Sequence, residues 1–434
     1  MAGFRVLITN NMLDNRAGSE LYVRDLAIAL LERGHSPVVF STVLGDVAQE
    51  LRAATVPVID DLSALGVSPD IIHGQHHVET MMALLRFPDT PAVQYCHGWI
   101  PWEEAPVRFP RILRYVAVDN TCRDRLVFEN SISDDRVKLL LNFVDLRRFK
   151  PRGPLPSRPA RALLFSNNAH EQISAKVREA CERTGIALDV IGVLSGNVCR
   201  KPEDVLGKYD LVFAKARAAL EAMAVGTAVI LCDAAGVGSM VTTENLDVLR
   251  PLNFGIRTLN KPIESAVLER EIARYDAGDA ARVRDRIRAI AGLEPAIEEL
   301  LSLYSEVIDE FKSTTRNLVE EEQSVSRYVG WLSPRLKEID SLRKALHNSN
   351  SLLVEERTEL LRLTAHLANS NKELSDTKTE LTESNRTLAA AKAELASITK
   401  TLGWRLLKRY GPIKHRLVLP AFRSLQRLLP RKEN

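Results

Sequence analysis

An aliphatic side chain recurs at every seventh position from Ile339 onward: Leu346, Leu353, Leu360, Leu367, Leu374, Leu381, Leu388, Leu395 and Leu402 follow in one register. A seven-residue period keeps one face of an α-helix aligned with a neighbouring helix, so this stretch reads as a coiled-coil seam. With the leucines taken as d positions, the a positions are mostly polar: Arg343, Asn350, Arg357, Thr364, Asn371, Lys378, Asn385, Lys392 and Thr399. Polar a positions cost stability and specify register and partner number. The expectation is a weak, parallel homodimer, with a single solvated helix as the plain alternative. At 1.5 Å per residue the stretch would span about 95 Å.

The residues before it have a different texture. The chain has 434 residues, too many for one ordinary domain. Short apolar runs alternate with helical patterns. Strand-like runs are 5–9, 37–41, 56–59, 71–73, 92–96, 115–118 and 137–141, and a helical repeat covers 20–33 and stops at Gly34. Strands separated by helices imply β-α-β units in a doubly wound parallel sheet, whose ligands bind at the carboxyl ends of the strands. Three prolines in six residues, Pro151, Pro154 and Pro156, read as an interlobe linker. A second alternating unit follows, with strands at 162–166, 187–191, 211–214 and 228–232 and helices from about 263 to 311. The expected fold class is therefore α/β: two Rossmann-like lobes, then a long α-helical coiled coil and a basic tail. The expected domains are 1–152, 153–312, 313–402 and 403–434.

The net charge of +3 hides an asymmetry. From Trp404 to Asn434 there are nine Lys or Arg and one acid, Glu433, a local charge of +8. The body is left mildly acidic. In the tail, cations interleave with Trp404, Leu406, Tyr410, Leu417 and Phe422, which suits an anionic membrane surface. A dimer-packing helix pair and an RNA-binding segment are the alternatives, but no nucleic-acid module accompanies the tail, so no nucleic-acid partner is expected. The five cysteines are scattered, odd in number and lack a C-x-x-C pair. That argues against a zinc site or a disulfide framework and fits a reducing compartment. The chain moves at once into Phe4–Ile8 without a signal-peptide pattern, and no run of 18 uncharged apolar residues occurs. The expected location is cytoplasmic, peripheral at the inner membrane face.

Three segments carry candidate chemistry. In Arg16-Ala-Gly-Ser-Glu20, Gly18 permits close backbone approach, Ser19 can cap the following helix, and Glu20 completes a loop beside a helix N-terminus. In Cys96-His-Gly-Trp99, His97 directly follows a strand and so sits at a ligand-facing edge. His73 could face the same cleft, while His76 and His77 read as exposed loop residues. The third segment, from Leu211 to Ile230, reads as strand, helix, glycine stop and strand, and leads to Asp233-Ala-Ala-Gly236.

The block Leu220-Glu-Ala-Met-Ala-Val-Gly226, with the strand and Asp-x-x-Gly turn after it, resembles the donor-site signature of retaining glycosyltransferases in the glycogen-synthase-like family 4. The Gly-Ser-Glu loop, His97 and Asn142-Phe-Val-Asp145 fall in the order that family shows. The resemblance covers about residues 4 to 310. It implies a GT-B fold and transfer of a sugar from a nucleotide-sugar donor to a cell-surface polysaccharide or lipid-linked glycan acceptor, without a metal or other cofactor. By resemblance, Glu221 holds the donor ribose, His97 lies near the donor sugar as the catalytic candidate, Gly236 belongs to the donor turn, and Gly18, Ser19 and Glu20 form the loop beside the phosphates and acceptor.

Two departures bear on activity. The family glutamate eight positions before Glu221 is here Phe213, and the cations expected after the first strand of the second lobe are missing from Phe165-Ser-Asn-Asn-Ala-His170. Lys215 and Arg217 stand instead at the start of the Glu221 helix, where cations oppose the helix dipole unless an anion relieves them. They are the expected replacements for the diphosphate cations. A degenerate, scaffold-type protein recruiting partners through its coiled coil is the alternative, and a nucleotide-sugar epimerase is a third reading.

Overall fold

A computed structural model describes residues 3–413, 415, 416 and 420, and the chain divides into one unit up to Trp331 and another from Leu332. The first lobe runs β1 (Arg5–Thr9), α1 (Gly18–Glu32), β2 (Ser36–Phe40), α2 (Asp46–Ala53), β3 (Val58–Ile59), β4 (Ile71–Gln75), α3 (His77–Arg86), β5 (Ala92–Cys96), β6 (Ile112–Ala117), α4 (Asn120–Asp124) and β7 (Val137–Leu139). The second runs β8 (Arg161–Phe165), α5 (Glu171–Arg183), β9 (Ala187–Ile191), β10 (Leu211–Ala214), α6 (Ala216–Val225), β11 (Ala228–Asp233), β12 (Gly236–Met240), α7 (Leu246–Leu249), α8 (Ser265–Ile272) and α9 (Ala277–Ile290). Then come α10 (Leu293–Ser313), α11 (Leu318–Lys400) and α12 (Leu402–Ile413).

The first sheet has strand order β3-β2-β1-β4-β5-β6-β7 and is parallel throughout. Its winding direction reverses between β1 and β4. The second sheet has order β12-β11-β10-β8-β9, with β12 antiparallel, and it reverses between β8 and β10. Such switch points leave a crevice at the carboxyl ends of the strands, because the loops there diverge to opposite faces. The loops after β1, β8 and β10 therefore matter most.

Both sheets are buried on two faces, which is why their strands are runs of Val, Ile and Leu and not alternating patterns. Leu7, Ile8, Leu26 and Leu30 lie in the first core. The second sheet separates two cores, one holding Val212, Leu220 and Leu231, the other Leu164, Phe213 and Ile230. The chain enters the second lobe's core at Val144, ahead of the proline-rich segment. The return crossing runs beside it: Val144 N–H donates to Ala291 O (2.8 Å) and Leu293 N–H to Val144 O (2.9 Å). Although α10 follows the second lobe in sequence, its Leu300, Leu303 and Tyr304 pack into the first lobe's core.

In the second unit, the leucines of the seven-residue repeat from Leu346 to Leu395 are between 53% and 68% exposed. The basic-tail expectation falls mostly on residues 414, 417–419 and 421–434, outside the described residues. Among the described residues, no helix is long and apolar enough to cross a membrane.

Candidate functional site

The two switch points open onto one cavity of about 650 Å³. The first lobe lines it with Asp14–Gly18 and Leu21, and the second with the Ser166–Asn168 loop, Lys215, Arg217, Glu221 and Asp233. The rim is bridged: Arg16 pairs with Glu50 and donates to Arg200 O (2.8 Å), and Arg200 pairs with Asp46 at 2.7 Å.

Asp233, at the carboxyl end of β11, organises the second-lobe wall. Its buried carboxylate takes Lys215 Nζ at 2.5 Å, the Ser166 hydroxyl, and Asn168 Nδ2 at 3.2 Å. Burial alone would raise the Asp233 carboxyl, but the Lys215 charge and hydrogen bonds outweigh it and hold it below its ordinary value. Gly192 lets this loop close, since a Cβ there would lie 1.8 Å from Ser166 O. The strand-to-helix corner is strained, because Ala216 adopts φ 48°, a region disfavoured for residues with a Cβ.

Arg217 is the other centre. Its Nε donates to Glu221 Oε1 (2.7 Å), one turn along α6, and its terminal nitrogen reaches across the lobes to Asp25. Asp25 also accepts Arg24 (2.7 Å) and Arg148 (3.2 Å). Burial pulls the Asp25 carboxyl upward, but these three guanidinium groups, Arg217 foremost, bring it below its ordinary value. For Glu221 the balance goes the other way: burial raises its carboxyl more than Arg217 lowers it.

Deeper in the first lobe lies a polar layer. His97 packs edge-on to Tyr22 (4.7 Å between ring centroids) and stacks on Tyr95 (5.6 Å). Its Nε2 is buried without a hydrogen-bond partner among the described residues. Burial, with the charges of His76 and Arg217, pushes its imidazole down to about 4 against the opposing pull of Glu104. The ring is therefore neutral at pH 7. Glu104 is buried and grips two partners: His97 N–H donates to its Oε2 (2.9 Å), and His76 Nε2 lies 3.5 Å from its Oε1. His76 Nδ1 accepts Asn11 N–H (3.2 Å), so the ring proton sits on Nε2, facing Glu104. Burial would lower His76, but Glu104, Glu79 and Glu20 raise it overall. Glu20 is raised by its burial.

Residues 16–148 match the family model described as Glycosyltransferase Family 4. The matched segment lies within the first lobe. A glycosyltransferase from Rickettsia africae ESF-5 is similar in structure, at 14% identity and TM-score 0.53, over 71% of this chain and 99% of that one. Anabaena HepE, solved in complex with UDP and glucose, is similar at 15% identity and TM-score 0.51, over 70% and 99%. These likenesses establish the fold: two Rossmann-like lobes of the GT-B kind, followed here by the long helix. No curated protein matches the chain.

In the first lobe, Gly18 lines the cavity as the first residue of α1, and a Cβ on it would meet nothing within 4 Å. Ser19 is no cap. It lies inside the first turn, where its hydroxyl donates to Glu20 Oε2 (3.0 Å), and the N-cap is Ala17 without a side-chain bond. The N-terminal N–H groups of α1 thus stay unclaimed by any cap. Ser19, Glu20 and His97 are not on the cavity lining.

His76 and His77 are buried, not exposed loop residues. β4 runs on to Gln75 and α3 starts at His77; His76 turns inward to Glu104, while His77 packs against Trp102 and its Nδ1 bonds the Tyr328 hydroxyl at 2.8 Å. His73 faces inward, not to the cleft: it stacks on Tyr95 (4.2 Å) and bonds the Tyr304 hydroxyl (2.6 Å).

In the second lobe, Lys215, Arg217 and Glu221 line the cavity, and both cations are already paired with carboxylates. Gly236 is off the lining. It opens β12 at φ 150°, where a Cβ would meet Lys261 O and Leu259 O. Phe213 is wholly buried in mid-strand. Sequence reasoning missed Asp25, Arg148 and Glu104. Asp25 did leave a signal: it stands four residues from both Leu21 and Ala29, on the helix's own apolar stripe.

Proposed function

We propose that the protein is a glycosyltransferase that takes a nucleotide sugar into the interlobe cavity and passes the sugar, with retention of configuration, to a cell-surface polysaccharide or lipid-linked glycan. The observation carrying this reading is the cavity itself. A buried carboxylate, Glu221, a lysine and an uncapped helix N-terminus face one space between a Family 4 lobe and a second Rossmann-like lobe. Glu221 gives Oε1 to Arg217, and its second oxygen accepts the vicinal ribose hydroxyls. Lys215 is one-third exposed, so its ammonium can bind a phosphate oxygen without leaving Asp233. The α1 N-terminus at Gly18 supplies N–H groups for further anionic charge. His97, buried behind the cavity lining and neutral, does not act as a protonated acid at pH 7. HepE was solved with UDP and glucose, which makes a uridine diphosphate sugar the first donor to test.

A second copy of the chain joins through α11, and the 403–434 segment holds the enzyme peripherally at the inner face of an anionic membrane. The +8 tail and the seven-residue repeat support those two parts. A catalytically silent scaffold is the second reading. It is favoured by Phe213 in the core and by cations whose charge Asp25, Glu221 and Asp233 already neutralise.

Thermal unfolding across a panel of nucleotide sugars separates binding from its absence. A ligand at 100 times its dissociation constant stabilises by about 2.7 kcal/mol. The proposal expects one nucleotide family to raise the melting temperature of the wild type and to do so less for Lys215→Ala. No shift with any member of the panel contradicts it.

A further inference from the structure

We propose that α11 pairs in parallel and in register with α11 of a second copy, through a seam made of the leucine row and the row three residues after it. This rests on the homodimer reading above and makes it specific. The leucines can be flanked by either of two rows. The row four residues later contains Arg343, Arg357, Lys378 and Lys392, four charges that a dimer core would bury against their own copies. The row three residues later contains Leu342, Leu363, Ala391 and Ile398, the small hydroxyl residues Ser349, Ser370, Thr377 and Ser384, and one charge, Glu356. Leu342, Leu363 and Ile398 are 61%, 57% and 46% exposed, so the apolar members of this row lack cover in the single chain, and its other members are small or, at Glu356, singly charged. Burial of apolar surface drives pairing and burial of like charges opposes it, so the second row is the core partner. The leucines then occupy a positions and the three-later row d positions.

This assignment sorts the flanking charges by sign. The g positions hold Glu338, Glu359, Glu373, Glu380 and Glu394 and no Lys or Arg, while the e positions hold the four cations named above and no acid. In a parallel pair each g residue faces the e residue five positions on in the other helix. Glu338 then meets Arg343 of the second copy, and Glu373 meets Lys378. In an antiparallel pair g faces g and e faces e, which would set acids against acids and bases against bases. The charge pattern therefore selects the parallel arrangement. A straight helix drifts about 20° per heptad from a strict seven-residue row, so the two helices must wind into a left-handed supercoil.

Cysteine cross-linking in the full-length protein distinguishes the registers. Two d-position cysteines in a parallel pair approach within the roughly 4.4–6.8 Å Cα separation of a disulfide, whereas e positions do not. Ser370→Cys and Ser384→Cys are expected to form dimers on mild oxidation, and their neighbours Asn371→Cys and Asn385→Cys are not. The unsubstituted protein is the control, since Cys96, Cys122, Cys181 and Cys232 are buried and Cys199 is partly covered. The reverse pattern overturns the register. A dimer by sedimentation with no cross-link at any of the four overturns the parallel arrangement. A monomer by sedimentation at all working concentrations overturns the homodimer reading itself. As a second arm, Glu373→Lys is expected to raise the dimer dissociation constant by about 2- to 30-fold, from two symmetry-related pairs, and Lys378→Glu in the same chain to restore it. No change in either variant counts against the g–e pairing.

Discussion

Replacing Asp25 with asparagine tests the electrostatic clip between the lobes. The change keeps the volume and removes one buried charge. Breaking a buried ion pair from one side costs about 3–5 kcal/mol, because the partner charge is left uncompensated. Here each guanidinium keeps a second carboxylate: Arg24 has Glu50 at 3.0 Å, Arg148 has Glu203 at 2.9 Å and Arg217 has Glu221 at 2.7 Å. The loss should therefore fall at the low end, about 3 kcal/mol. For a body of this size, at about 2 °C per kcal/mol, the melting temperature should drop by about 6 °C. The effect should also depend on pH. The Asp25 carboxyl lies below its ordinary value in the folded state, so its contribution is complete above the unfolded value and fades as pH falls through the folded one. Calorimetry of Asp25→Asn and wild type at pH 7 and at successively lower pH reads both features. The gap should be full at pH 7 and shrink below about pH 4. A gap under about 1 °C at pH 7, or one that does not shrink with acid, would refute the clip as described.

Gly18→Ala should leave the melting temperature unchanged, because its Cβ meets nothing within 4 Å, yet weaken nucleotide-sugar binding measured by calorimetric titration, because that Cβ enters the cavity. Phe213→Glu should restore no donor contact and instead prevent folding, seen as loss of soluble, cooperatively unfolding protein, because position 213 is fully enclosed in the second sheet. His97→Gln should flatten the pH dependence of stability between about pH 4 and 6.5: a histidine lowered to about 4 keeps its stabilising contribution above its unfolded value and loses it as pH falls. Equal slopes in the two proteins over that window would show that His97 is not held neutral.

The fold was legible because its signals are local. Strand runs such as Arg161–Phe165 and Leu211–Ala214 hold consecutive apolar residues without alternation, and the Gly226 stop at φ 100° ends α6 where the residue type says it should. β12 was not read, because Gly236-Val-Gly-Ser-Met240 has two glycines and a serine in five residues, which removes the apolar signal of a strand. At the site, residues at strand ends were legible, and long-range partners were not. Lys215 and Arg217 looked like cations awaiting a phosphate, since their carboxylate partners Asp233 and Asp25 lie 18 positions ahead and 192 positions behind. His76 and His77 looked exposed because they sit beside a polar stretch, whereas His76 meets Glu104 and His77 is covered by Trp102 and Tyr328, all distant in sequence. Periodicity reports which face of an element is covered, not what covers it.

The central claim is that the interlobe cavity turns over a nucleotide sugar through Glu221. The direct measurement is release of free nucleoside diphosphate from each of a panel of nucleotide sugars, with and without mixed glycan and lipid-linked acceptors, by wild type and by Glu221→Gln. The account predicts release from one donor type by the wild type, stimulated by an acceptor, and a large loss in Glu221→Gln assayed well below that variant's own melting temperature. No release from any donor, or equal release by the two proteins, would contradict it.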